Sequence, residues 1–561
     1  MRGAQTTAAM KIDVIELSQQ QIDDALAAAK VALPVKTVEV FEKIAGAYST
    51  VLSALESKDT TIGRLRRMLF GARSEKLAKV LATQGLRQGA ATTEAQADGG
   101  KTKPPGRPPP GHGRNGQDAY PGAKTQCVSH HKLKPGDLCP ACGKGKVYEQ
   151  RERPKVLVRV TGQPPLAAAI YLLQRLRCNL CAKVFTARPP TGAGGEKYDA
   201  TASSMIGLLK YGGGFPWNRL DKLQSSVGIP LPPSTQWDIV RDTARKIEPA
   251  CEELRRQAAQ GEVLHNDDTP MKILAWMGKR REASLRERSK VAADGRYGQP
   301  PNPDRTGVFT SGIISKIADR QIALFFTGIR HAGENLKALL LKRDRGLGSP
   351  IQMCDALSRN LPKDFKTILA NCLAHGRRQF VEQAENFPPE CAHILGVLAA
   401  VYKNDAIAKK RKMTPAERLR FHQDKSGAAM EKLHAWMQAH LAEKKVEPNS
   451  GLGEAIGYML KYWEKLTLFL RKAGAPLDNN ICERALKKAI LHRKNSLFYK
   501  TDAGARVGDA FMSLIHTCTL NGADPFDYIT QLQRHAQEVR QKPQRWMPWN
   551  YRHTIARAPP R

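Results

Sequence analysis

Three of the 53 acidic residues in this 561-residue sequence stand where a carboxylate could do chemistry instead of sitting solvated on a surface. Asp267 ends the short apolar run EVLHND, and Asp355 ends SPIQMCD in the same manner. Glu483 opens a helical stretch, PLDNNICERALKKAILHRKN, just after Asp478-Asn479-Asn480. Two carboxylates at adjacent strand ends and a third on a covering helix can converge on a pair of hard cations. Mg2+ (or Mn2+) takes such oxygen ligands and keeps its other positions for water and a substrate phosphate. Two such ions ~3.5–4 Å apart stabilise both the attacking and the leaving oxygen of an in-line phosphodiester displacement.

Cations stand beside these carboxylates. Asn479, Asn480, Glu483 and Lys487 share a helix face at three- and four-residue spacing, with Arg484, Arg493 and Lys494 nearby. The segment CLAHGRR opens another helix and offers His375, Arg377 and Arg378 as phosphate contacts. A second constellation is made of cysteines: Cys139-Pro-Ala-Cys142 and Cys178-Asn-Leu-Cys181. Each pair can curl two thiolates onto one ion, and the two pairs complete a tetrahedral Zn2+ site. The runs VLVRV and AAAIYLLQRLRC between them can pair as a hairpin that brings the knuckles together. Four thiolates leave no open position, so this zinc is structural, in a ribbon over residues 126–190.

The elements that must position the carboxylates follow from pattern. Short strands are expected at EVLHND, TGVFTSGIIS, IALFFTG, SPIQMCDA and KTILANCL, with helices from about residue 375 onward. Three strands that could meander, then two that feed helices, predict a mixed sheet with helices packed on it. Upstream, helices are expected near 203–211, over Trp217–Ser225, and after a break at Gly228-Ile229-Pro230 in a long helix capped by Ser234. That pair is compatible with helix-turn-helix DNA binding or with simple packing. Residues 41–69 carry a heptad seam through Phe41, Ile44, Tyr48, Val51, Leu55, Ile62, Leu65 and Leu69. It reads either as a coiled coil or as an amphipathic helix packed on its own chain. Residues 84–125 read as a flexible basic linker, within which Gly106-Arg107-Pro108 has the core of a minor-groove hook.

Charge narrows the partner. Lys and Arg number 89, giving a formal charge of +36, and double-stranded DNA is the polyanion such a chain suits. Aromatics at 6% argue against serial base stacking on single strands. The sequence has no run of the ~20 apolar residues a membrane helix needs. Cysteines arranged for a metal suit a reducing compartment, so a cytoplasmic protein is expected.

The blocks HNDDTP, MCDALSRN, CLAHGRRQF and, above all, PLDNNICERALKKAILHRKNSLF resemble the transposases of insertion sequence 66. The resemblance extends to LFGARSEKL near the N-terminus, the cysteine module, and LNGADPFDYI near the end. It implies an RNase H-like catalytic domain whose DDE triad is interrupted by a long helical insertion. Asp267, Asp355 and Glu483 take the triad positions. Asp268 stands where the family usually has Glu, which leaves open which of the two adjacent aspartates is the ligand.

The expected fold is thus multidomain α+β. An N-terminal helical or coiled-coil region (1–83), the linker (84–125), the zinc ribbon (126–190) and a helical region (191–260) come first. The first part of the catalytic core (261–383), the insertion (384–470), the second part of the core (471–535) and a basic tail (536–561) follow. The resemblance implies metal-dependent cleavage at element ends and strand transfer into target DNA. Partners would be the DNA of both, a second protomer in a homodimer or higher assembly, and helper proteins of the same element. The alternative is a repurposed, catalytically inactive relative that acts as a DNA-binding regulator.

Overall fold

The structure, a computed structural model, describes residues 37–38, 132–148, 165–177, 184–191, 194–278, 305 and 307–557. The heptad seam, the linker with Arg107, most of the loop after Gly278, and Cys178 and Cys181 lie outside the described residues. The chain divides into two compact units.

The larger unit carries the mixed sheet. Its strands are β3 (Val263–Pro270), β4 (Phe309–Ile317), β5 (Arg320–Gly328), β6 (Ile351–Cys354) and β7 (Ile368–Asn371), in the order β5-β4-β3-β6-β7. β3, β4 and β5 form an antiparallel meander, and β6 and β7 join parallel to β3 and to each other. Each expected strand is therefore present. A separate hairpin pairs β1 (Arg175–Arg177) with β2 (Val184–Thr186). Cys178 and Cys181 fall in sequence between these two strands, so β1 turns back on a segment beyond the second cysteine pair. VLVRV, the partner expected from sequence, lies outside the described residues.

Helix packing on this sheet follows from small residues and matched spacing. The helix at Asn480–Ser496 lies across β3 and β4. Gly312 on β4 makes room for it, because a Cβ there would meet Leu486 at 3.0 Å and Cys482 Sγ at 3.4 Å. Along the edge strand β5, the helix at Asp502–Leu520 supplies hydrogen-bond partners at every fourth residue. Asp509, Ser513, Thr517 and Asn521 accept the N–H groups of Thr327, Phe325, Ala323 and Gln321 at 2.6, 3.0, 3.0 and 3.2 Å. Four helical residues rise ~6 Å and two strand residues ~6.8 Å, so the two spacings stay in step along the edge. The exposed row of an edge strand is thereby satisfied without another strand.

Several boundaries differ from expectation. The long helix before β3 spans Pro233–Ala258 and starts one residue before Ser234. Pro232 stands at its cap position and no side chain caps it; the Pro-Pro pair presets the backbone instead. Residues 536–557, read from their charge as a tail, are packed structure: Val539, Trp546, Met547 and Tyr551 are buried in the same core as the sheet. The insertion is not one block either. Residues 376–403 and 429–457 belong to the smaller unit, whereas 404–428 and 458–470 belong to the sheet-bearing one. In the latter, Arg418 pairs with buried Asp405 and donates to the Ala475 carbonyl at 2.8 Å. In the smaller unit, the helical residues 388–403, 429–442 and 451–457 bury Ile394, Leu398, Met430, Leu433, Leu452 and Ile456.

Candidate active site

β3 and β6 run parallel with His265 opposite Met353. Two residues further along each strand come Asp267 and Asp355, at one level and on one face. Asp267 thus lies within β3, which continues to Pro270, and does not end it. Asp355 is the first residue past β6. A short turn brings Asn360 back over both: its amide donates to Asp355 Oδ1 and stands 3.4 Å from Asp267 Oδ1. Burial, and then the charge of Asp355, push the Asp267 carboxyl up to about 7. Asp268 faces the opposite way. Its buried carboxylate meets His331 Nδ1 at 2.9 Å and Arg359 at 3.2 Å. Of the two adjacent aspartates, Asp267 is the one that faces Asp355.

The third carboxylate is aimed by its helix. Asn479, at the cap position of Asn480–Ser496, is wholly buried; it donates to the Asn266 carbonyl at 3.2 Å and bonds His265 Nδ1 at 3.2 Å. Asn479 is therefore no DNA contact, contrary to the expectation from its polar character: it pins the helix to β3. Cys482 packs its thiol on the carbonyl of Gly312, the residue paired with Asp267. Glu483 is the next residue, one helical turn beyond Asn479 on the same face. His375 Nε2 lies 3.9 Å from Glu483 Oε1, so His375 faces this carboxylate. Glu483 Oε1 and His375 Nδ1 are buried and have no hydrogen-bond partner.

The other candidate DNA contacts divide. Arg484, Lys487 and Lys494 are exposed, and Asn480, Arg377 and Arg378 are partly buried. Arg493 bonds Thr269 Oγ1 at 3.3 Å and the Pro270 carbonyl, tying its helix to the end of β3. Ten residues separate it from Glu483, or ~15 Å of helix. That is too far to seat a phosphate held by Glu483.

Sequence reasoning missed the layer beneath the carboxylates. Asn266 donates to the Asn360 carbonyl at 2.8 Å, and Gln352 donates to Asn266 and to the same carbonyl at 2.9 and 2.8 Å. These amides fix the turn that presents Asn360. The available signal was Asn360 itself, five residues past Asp355 in MCDALSRN.

Of the four cysteines expected to bind zinc, Cys139 and Cys142 are described. Gly143, at φ +66°, closes a tight turn by donating to the Cys139 carbonyl at 2.8 Å. The Gly145 N–H points at Cys142 Sγ at 3.5 Å; with its neighbours it lowers the thiol's pKa. Such a turn favours a thiolate, the form that ligates metal. No helix among the described residues is long and apolar enough to cross a membrane.

Residues 197–507, more than half of the chain, match the family described as Transposase IS66 family. Three proteins of Sinorhizobium fredii, each described as uncharacterized, are also similar. One, y4jD, is 30% identical over 258 residues, covering 44% of this chain and 46% of its own length. Another, y4qI, is 28% identical over 364 residues, 62% of each chain. A third, y4hP, is 26% identical over 550 residues, 90% of this chain and 89% of its own. The chain thus spans about half the length of y4jD and under two thirds of y4qI.

Proposed function

Because the chain belongs to the IS66 transposase family, we propose that it is a DDE-type DNA transposase with Asp267, Asp355 and Glu483 as its triad. The carrying observation is the register of β3 and β6, which sets Asp267 level with Asp355 below the helix that Asn479 hooks to β3. An antiparallel meander extended by two parallel strands is also the sheet expected of an RNase H-like core.

Among the described residues, Glu483 has its ligand atom within 4.8 Å of those of Cys372 and His375, so it would have to turn toward the aspartate pair to share a divalent metal with them. Asp267 and Asp355 repel one another when both are charged, and Glu483 Oε1 has no hydrogen-bond partner. Mg2+ or Mn2+, when bound, would neutralise charge developing on the oxygens of a phosphodiester under attack. Asp267, Asp355 and Glu483 would hold it. Asn360 orients the two aspartates from one side, and His375 leans on Glu483 from the other. Arg484 and Lys487, exposed on the turns beside Glu483, would grip the phosphates that flank the scissile bond. Lys494 would contact the duplex further along this helix, and Arg377 and Arg378 would add phosphate contacts of their own. Strand cleavage by water and strand transfer by the freed 3′ hydroxyl are the same displacement at phosphorus, so one site serves both.

Labelled element-end DNA incubated with the protein and Mg2+ tests this reading. The wild type should cut, whereas Asp267→Asn, Asp355→Asn and Glu483→Gln should each lose cleavage by ~10³-fold or more and still bind ends. A wild type that binds ends without cutting would instead make the chain a DNA-binding regulator. The cysteine module adds a separate expectation, one zinc per chain on Cys139, Cys142, Cys178 and Cys181. Elemental analysis of the purified protein checks it, and a zinc-free protein refutes it.

A further inference from the structure

We propose that Cys372, His375 and Glu483 form a second metal site, selective for a borderline cation such as Zn2+, that draws Glu483 away from the two aspartates. The ligand atoms of these three residues all lie within 4.8 Å of one another. A tetrahedral ion with bonds of ~2.0–2.3 Å holds its ligands on the order of 3.5 Å apart, so about an ångström of side-chain rotation closes the set. Glu483 Oε1 is buried with no hydrogen-bond partner and stands 3.9 Å from His375 Nε2, the ring nitrogen that faces it.

The backbone is prepared as well. Cys372 leaves β7 with its N–H bonded to the Cys354 carbonyl at 2.9 Å, and His375 follows three residues later in the first turn of a helix. Burial pushes the Cys372 thiol up to about 12; the Asn479 N–H, which donates to Sγ at 3.2 Å, works against this, and the thiol proton is released to solvent when the cation binds. A thiolate and an imidazole select Zn2+ or Co2+ over Mg2+, which takes oxygen ligands. Binding stands on these three side chains alone. Its consequence, inhibition of strand cleavage by Zn2+, rests on the reading of Glu483 as a triad residue.

The full-length protein, its zinc content measured first, is titrated with Co2+ and followed by visible absorption. The expected result is tetrahedral d–d bands with a thiolate-to-cobalt charge-transfer band that Cys372→Ala diminishes. His375→Gln should weaken binding by about tenfold or more, and it decides the matter should Cys372→Ala fail to fold. A spectrum unchanged in both variants overturns the site. In Mg2+-supported cleavage, micromolar Zn2+ should inhibit the wild type and spare Cys372→Ala; equal inhibition of the two overturns the proposed consequence. Normal cleavage by Glu483→Gln would refute the triad, while the cobalt spectrum would still decide the metal site.

Discussion

Asp267 answers to opposing demands. Without metal, burial and the neighbouring Asp355 hold its carboxyl up to about 7, well above its ordinary 3.8. Between those values the folded chain keeps a proton that the unfolded chain has released. Stability from this group is therefore fully present below pH 4 and falls as pH rises through 7, by at most ~1.4 kcal/mol per pH unit. Asparagine cannot ionise, so Asp267→Asn should escape the loss. In Mg2+-free buffer its melting temperature should exceed that of the wild type at pH 8, and the gap should close toward pH 4. Added Mg2+ should raise the wild type at pH 8 and leave the variant unmoved. Calorimetry at the two pH values checks both, and a wild type insensitive to pH and to Mg2+ would remove the paired carboxylates as a metal site. Asp268→Asn is no neutral control here, because that carboxylate is tied to His331 and Arg359 inside the fold.

The helix that carries Glu483 is held to β3 at both ends, by Asn479 and by Arg493. Asn479→Ala would strip His265 Nδ1 and the Asn266 carbonyl of their partner, at a cost of ~1–3 kcal/mol. Because this hook aims Glu483 and touches no exposed cation, cleavage should fall much more than end binding under conditions where the variant stays folded. Equal losses in the two assays would mean that Asn479 contributes stability alone. The strands and the approximate start of this helix were legible because apolar runs bounded by turn residues report strands directly. Asn479 was misread because a sequence does not reveal which of two adjacent asparagines is buried. The polar layer of Asn266, Gln352 and Asn360 was hidden for a similar reason, since its contacts join residues far apart in the chain. Charge also misled at 536–557, where Trp546, Met547 and Tyr551 anchor a segment whose basic residues suggested a tail.

At the scale of the molecule, a formal charge of +36 suits a polyanion, and on the proposed function the cations divide into those that would grip DNA and those that hold the fold. If affinity comes mainly from phosphate contacts, log affinity should fall linearly with log salt, with a slope of about −0.9 for each phosphate neutralised. Arg484 and Lys487 are exposed beside Glu483. Replacing both with alanine should flatten the slope by about two units on every duplex, because phosphate contacts position without specifying sequence. It should also lower cleavage more than binding. Arg493→Ala should behave differently: its guanidinium is spent on Thr269 and Pro270, so it should lower the melting temperature with little change in salt slope. Fluorescence anisotropy across a salt series, paired with thermal unfolding, distinguishes the two. If the Arg484 and Lys487 pair left the slope unchanged while Arg493→Ala flattened it, DNA would lie along the far end of this helix, and the proposed seating of the scissile phosphate beside Glu483 would fail.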